Sequence, residues 1–185
     1  MARLSRDYRL GNAVVQDYAQ ARRWARLAAE GGDVGAMNDL ATMLEAGLGG
    51  PTDIAEARLW FRKSAERGFA PAQHSLAMML RDGRGGPADP QEVSLWLRKA
   101  AEGGHVSAEI DLAEELWRRD DSAAPWTACF WWLVALESGA QGSPQRCQKE
   151  APILDDQELI GIAQDAREWV RAHQQGHATT EGNRK

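Results

Sequence analysis

Residues 53–68 read Asp53-Ile-Ala-Glu-Ala-Arg-Leu-Trp60-Phe-Arg-Lys-Ser-Ala-Glu-Arg-Gly68, and 36 positions later the chain returns as Asp89-Pro-Gln-Glu-Val-Ser-Leu-Trp96-Leu-Arg-Lys-Ala-Ala-Glu-Gly-Gly104. Tryptophan marks the period. Trp24, Trp60 and Trp96 stand 36 residues apart, and Trp131 follows after 35. Ala28-Ala29-Glu30-Gly31-Gly32 and Ala135-Leu136-Glu137-Ser138-Gly139 keep the same step. A period of this size is the mark of stacked supersecondary units, each too small to bury its own apolar faces.

The other half of the unit repeats equally well. Ala36, Leu40, Ala41, Leu44, Gly47 and Gly50-Pro51 return as Ala72, Leu76, Ala77, Leu80, Gly83 and Gly86-Pro87, and again in part as Ala108, Leu112, Ala113 and Leu116. These apolar positions fall on one helical stripe, the pattern of a helix that buries one face. A glycine loop ends it. Asp53 with Glu56 reads as a capping box for the second helix, Asp89-Pro90 adds proline at the first helical position, and Asp17 with Gln20 repeats the signal. Gly68 closes that helix. Leu4, Tyr8, Gly11 and Asp17 match Leu40, Leu44, Gly47 and Asp53, so the chain opens inside a partial unit.

The fold class expected is all-α: an α/α solenoid of antiparallel helix pairs with a C-terminal capping helix. Its solenoid spans residues 1–140, a partial first unit followed by units near 33–68, 69–104 and 105–140. Residues 141–174 form a linker and the capping helix, which Asp155 or Asp156 starts and which carries Leu159, Ile160, Ala163, Ala166, Trp169 and Val170 at helical spacing. A flexible polar tail is expected over 175–185. Covering the end of the core is one role for the last helix, and homodimerisation is the alternative.

Composition narrows the function. With 27 acidic and 22 basic side chains, the net charge of -5 speaks against nucleic acid as the main partner. No stretch reaches the roughly 18 apolar residues that cross a bilayer, so membrane insertion is not expected. Residues 1–30 hold no signal-peptide core, which points to a cytoplasmic location. Cys129 and Cys147 are too few for a disulfide framework or a zinc site. His74, His105, His173 and His177 are scattered, and the loops at Gly47 and Gly83 lack the Gly-Lys-Ser/Thr ending of a phosphate-binding loop. Neither catalysis, metal nor cofactor is expected.

Tyr8, Gly11, Asp17, Ala21, Trp24, Ala28-Ala29 and Gly31 occur in the order of the SEL-one-like (Sel-like) repeat, a relative of the tetratricopeptide repeat, and the chain resembles that family over residues 4–139. Leu44, Leu80 and Leu116 depart from its usual tyrosine, and Arg119-Asp-Asp-Ser-Ala-Ala124 replaces the last glycine loop. The resemblance implies a right-handed superhelix whose first helices line a concave surface. It also implies an adaptor that binds another protein or peptide there.

On first helices of ideal pitch the positions opposite the buried stripe are Asn38, Thr42 and Glu45, then His74, Met78 and Arg81, then Ile110, Glu114 and Trp117. These nine are the candidate groove residues. Trp117 lies outside the tryptophan series, and with Met78 and Ile110 it reads either as an apolar anchor for a partner or as a ring folded under the C-terminal segment. Trp126 carries the same two readings. A narrower function is that of a bacterial toxin antagonist, which an acidic groove would favour. A structural piece of an envelope assembly is a further alternative, one that calls for a signal peptide or a lipid-anchor cysteine.

Overall fold

The computed structural model describes residues 1–12, 14–118, 124–141 and 156–181, with the side chains of 124, 156 and 174–181 excepted. Among these residues there are helices and no strands. In chain order they are α1 (Ala2–Leu10), α2 (Tyr18–Glu30), α3 (Val34–Ala46), α4 (Ile54–Glu66), α5 (Ala70–Asp82), α6 (Pro90–Glu102), α7 (Val106–Trp117), α8 (Ala124–Glu137) and α9 (Asp156–Glu181). The architecture is an all-α helical-repeat solenoid. It divides into two compact units, Met1–Gly103 and Gly104–Lys185.

In the first unit the helices pack as consecutive pairs, α1 on α2, α3 on α4 and α5 on α6, while α2 also meets α3 and α4 meets α5. α2 and α4 therefore each serve two neighbours, and their interiors must be nearly continuous. Ala57, Trp60, Phe61, Ser64 and Ala65 of α4 are buried, as are Val93, Trp96, Leu97, Ala100 and Ala101 of α6. Buried Ser64 donates from Oγ to the carbonyl of Val34 at 2.9 Å, so the hydroxyl is satisfied and ties α4 to the start of α3.

The caps form by a variation on the expected box. Asp53 accepts from the backbone N–H of Glu56 at 2.8 Å, and Asp17 and Asp89 do the same for α2 and α6. The reciprocal half of the box is replaced. The N–H groups of Asp17, Asp53 and Asp89 donate instead to the carbonyls of Tyr8, Leu44 and Leu80 in the preceding helices. That leaves the Glu56 and Glu92 carboxylates free of capping duty, and both reach a neighbouring pair. Arg26 forks Glu56 with bonds of 2.6 and 3.1 Å, and Arg62 forks Glu92 with bonds of 3.1 and 2.6 Å. The Arg26 guanidinium holds the Glu56 carboxyl below its usual range, and Arg62 does so for Glu92. Bidentate geometry of this kind fixes direction as well as distance.

The glycine loops dock on the preceding second helix. Arg22 donates to the Pro51 carbonyl at 2.9 Å and Arg58 to the Pro87 carbonyl at 3.0 Å. At Gly85, φ is +72° and a Cβ would fall into the carbonyl oxygen of Ile54. Only glycine meets both demands. Gly85→Ala is expected to destabilise the protein by about 2 kcal/mol, combining left-handed strain with overpacking. In a urea titration its midpoint should fall well below that of Gly32→Ala, where a Cβ meets open space.

In the second unit α7 packs on α8 and α8 on α9. α8 reads Ala-Pro-Trp-Thr-Ala-Cys-Phe-Trp-Trp-Leu-Val-Ala-Leu-Glu, apolar on every side, as suits a helix held between two others. Ala128, Cys129, Trp131, Trp132, Val134 and Ala135 are buried. α9 lies on it through Ile162, Ala166 and Val170, with Trp169 edge-on to Trp131 at 5.3 Å and Arg167 bonded to Glu137 at 3.0 Å. The buried stripe is thus rotated from the expected one: Ile162 is fully buried and Ile160 is 59% exposed. Packing against a nearly all-apolar partner selects the face. The helix also runs to Glu181 rather than ending at 174. The replaced loop at 119–123, Asp155, Cys147, most of the linker and residues 182–185 lie outside the described residues.

Candidate functional site

In the first unit Asn38, Thr42 and Glu45 follow one another along α3, and His74, Met78 and Arg81 along α5, both helices packed on α4. Thr42 and Arg81 are exposed, and Asn38, Glu45, His74 and Met78 are half-buried. Thr42 donates from Oγ1 to the Asn38 carbonyl at 3.0 Å. The charges on this face are paired within the fold. Arg81 meets Asp82 at 3.0 Å, and Glu45 pairs with Arg84 in the loop after α5. This last pair joins the end of α3 to the next repeat, a contact that sequence spacing alone did not reveal.

Asp39 is the residue on this face that the sequence reading passed over. Burial pushes its carboxyl above the usual range, and Arg9 and Arg6 of α1 oppose the shift. Its signal was available in principle. Position 39 adjoins the half-buried edge of α3, where a carboxylate needs a counter-charge from the neighbouring first helix.

The second unit presents its own first helix. Ile110, Glu114 and Trp117 of α7 are half-buried. Glu114 accepts from Arg118 at 3.3 Å. Trp117 rests on Trp132 of α8, ring centroids 5.4 Å apart and planes tilted by 44°. Trp126 is 43% exposed and stacks on Phe130 at 6.4 Å. Among the described residues no three metal-ligating side chains converge, and no helix is long and apolar enough to cross a membrane. Cys129 is buried in α8.

A protein of stacked helix pairs whose second helices are consumed by packing, and whose first helices keep a polar outer row, is by class a helical-repeat protein. The Sel1 repeat matches residues 1–33, 34–69 and 70–105, more than half of the chain, and the chain belongs to the Sel1 repeat family. Such proteins are generally non-catalytic scaffolds for protein interaction. The fold is similar to that of a Sel1 repeat protein from Oxalobacter formigenes, with a TM-score of 0.76 at 24% identity over 90% of this chain and 71% of that one. A second solved structure, c5321, is described as a protective antigen of uropathogenic Escherichia coli with an SLR fold. It aligns at 24% identity with a TM-score of 0.49, over 92% of this chain and 45% of that one. No curated protein matches the sequence.

Proposed function

We infer that the chain is a non-catalytic adaptor that binds a partner protein or peptide through its first helices. Asn38, Thr42, Glu45, His74, Met78 and Arg81 are the first unit's contribution, and Ile110, Glu114 and Trp117 the second's. One observation carries the reading. The repeat packs α4 between α3 and α5 but leaves the outer row of these two first helices partly open, with Met78 among polar and charged side chains as an interface anchor would be. The same row carries Arg81 and His74 beside Glu45, with Arg84 of the following loop paired to that glutamate, a mixed lining that gives no particular support to an antagonist of a basic toxin. A cytoplasmic location and a bacterial source fit an adaptor of this family, and α9 already packs on α8 with the face a homodimer would need.

Affinity capture with the wild-type chain and a Met78→Ala, Arg81→Ala variant tests the assignment, circular dichroism confirming that both are folded. Loss of one anchor and one rim charge should weaken recovery of the partner by about tenfold or more. Equal recovery by the two chains would overturn the assignment of this face.

A further inference from the structure

A cleft of about 400 Å³ lies where the turn between α2 and α3 meets α4, with Met37 and Trp60 at its floor and Lys63, Arg67 and Glu30 around it. Its size is in the range of small binding sites. The chemistry follows from the order of residues along α4. Glu56, Trp60, Lys63 and Arg67 succeed one another at three- and four-residue steps, so they share one face. The acidic end of that face is consumed inside the fold: Glu56 is forked by Arg26 and also accepts from the Trp60 indole N–H at 3.1 Å. The basic end is not. Lys63 Nζ stands 4.0 Å over the Trp60 ring, and Arg67 reaches back thirty residues to donate to the thioether sulfur of Met37 at 2.9 Å.

A thioether is a weak acceptor, and it leaves most of the guanidinium fork unused. Among the described residues neither Lys63 nor Arg67 is ion-paired with a carboxylate, and both side chains are exposed. The repeat itself shows that the second cation, Arg67, is dispensable for the fold. Gly31 and Gly103 occupy the positions that correspond to Arg67, and Gln73 the position of Met37. Lys99 stands over Trp96 at 4.5 Å just as Lys63 does over Trp60, but without a second cation beside it. A positive charge at the end of α4 favours the helix dipole, yet that effect gives no reason for the side chain to lie across the cleft.

We propose that this cleft binds an acidic segment of a partner protein. Arg67 forks one Asp or Glu carboxylate, and Lys63 adds the second positive charge beside the little of Trp60 that remains open. Glu30 on the rim disfavours dense polyanions and admits a carboxylate flanked by uncharged residues. On a chain of net charge -5, a paired cation site of this kind is a local exception that would select acidic partners. None of its residues belongs to the first-helix row, so the two readings stand or fall separately.

The probe is an acetylated, amidated peptide, Gly-Glu-Leu-Glu-Gly, titrated into the full chain while the Trp60 indole N–H resonance is followed, its assignment fixed by Trp60→Phe. A saturable shift is expected. It should weaken about tenfold in Arg67→Gly, which restores the residue found at positions 31 and 103, and again in Lys63→Gln; high salt should weaken it too. The glutamine version of the peptide should not bind. Absence of saturation, equal affinity for the glutamine peptide, or undiminished affinity in Arg67→Gly overturns the proposal. Inorganic phosphate binding as tightly as the peptide overturns the choice of an acidic protein segment.

Discussion

Trp60→Ala should lower the free energy of unfolding by about 3–5 kcal/mol, the usual range for a buried indole, and Trp24→Ala by about half of that or less. The two residues hold the same place in the repeat, so the difference reports what the neighbours around each ring contribute. Trp60 is 8% exposed. Met37 of its own pair and Ala29 and Glu30 of the preceding one line the cleft with it, and the Trp60 indole N–H is bonded to a carboxylate that Arg26 of α2 also holds. Truncation therefore opens a cavity and unties a polar junction between pairs. Trp24 is half-buried. Met37 stands 23 residues before Trp60, and the residue 23 before Trp24 is Met1, which is 67% exposed. Trp96, 5% exposed, should behave as Trp60 does. Urea titrations of the three alanine variants decide the matter. Equal losses at positions 24 and 60 would mean that burial by these neighbours is not what makes the rings stabilising.

The same contrast shows what the sequence made legible. A 36-residue period with caps, glycines and apolar stripes in step fixes helix pairs and their order, because each signal acts within about a turn of its own residue. Phe61, Leu40, Leu76 and Leu112 could be placed in the core on this basis. What stacking adds is another matter. Trp24 follows the repeat as faithfully as Trp60, and only the neighbours packed around each ring separate them. The forks from Arg26 to Glu56 and from Arg62 to Glu92 link residues thirty apart. Their partners repeat visibly in the sequence, but nothing local says that the glutamates leave their caps to reach them. The rotation of α9 has a similar origin: its polar and apolar residues allow more than one face, and α8 chooses. The outer row of α3 and α5 was legible as a row, whereas the charge pairs that tie it down were not.

Glu109 yields the second large effect, and it runs in an unusual direction: Glu109→Gln should stabilise the protein at neutral and alkaline pH. The carboxyl is fully buried in α7. Ser138 donates to its Oε1 at a long 3.4 Å, and Oε2 has no hydrogen-bond partner among the described residues. Burial pushes the carboxyl up to about 7, against a smaller opposing effect of the Ser138 hydroxyl. Between pH 4.5, the carboxyl's ordinary value, and about 7 the folded chain therefore holds a proton that the unfolded chain has released. Stability contributed by this group falls as pH rises through that window, and above it the penalty is constant at roughly 3 kcal/mol. Glutamine has nearly the same shape and no charge to desolvate. The repeat already uses it, since Gln73 at the corresponding position is buried and donates to the Ala65 carbonyl at 3.1 Å. The variant should match the wild type near pH 4 and exceed it by about 3 kcal/mol near pH 8. Parallel stability curves across that range, or a variant less stable at pH 8, would show that Glu109 is better solvated in the folded chain than its surroundings imply.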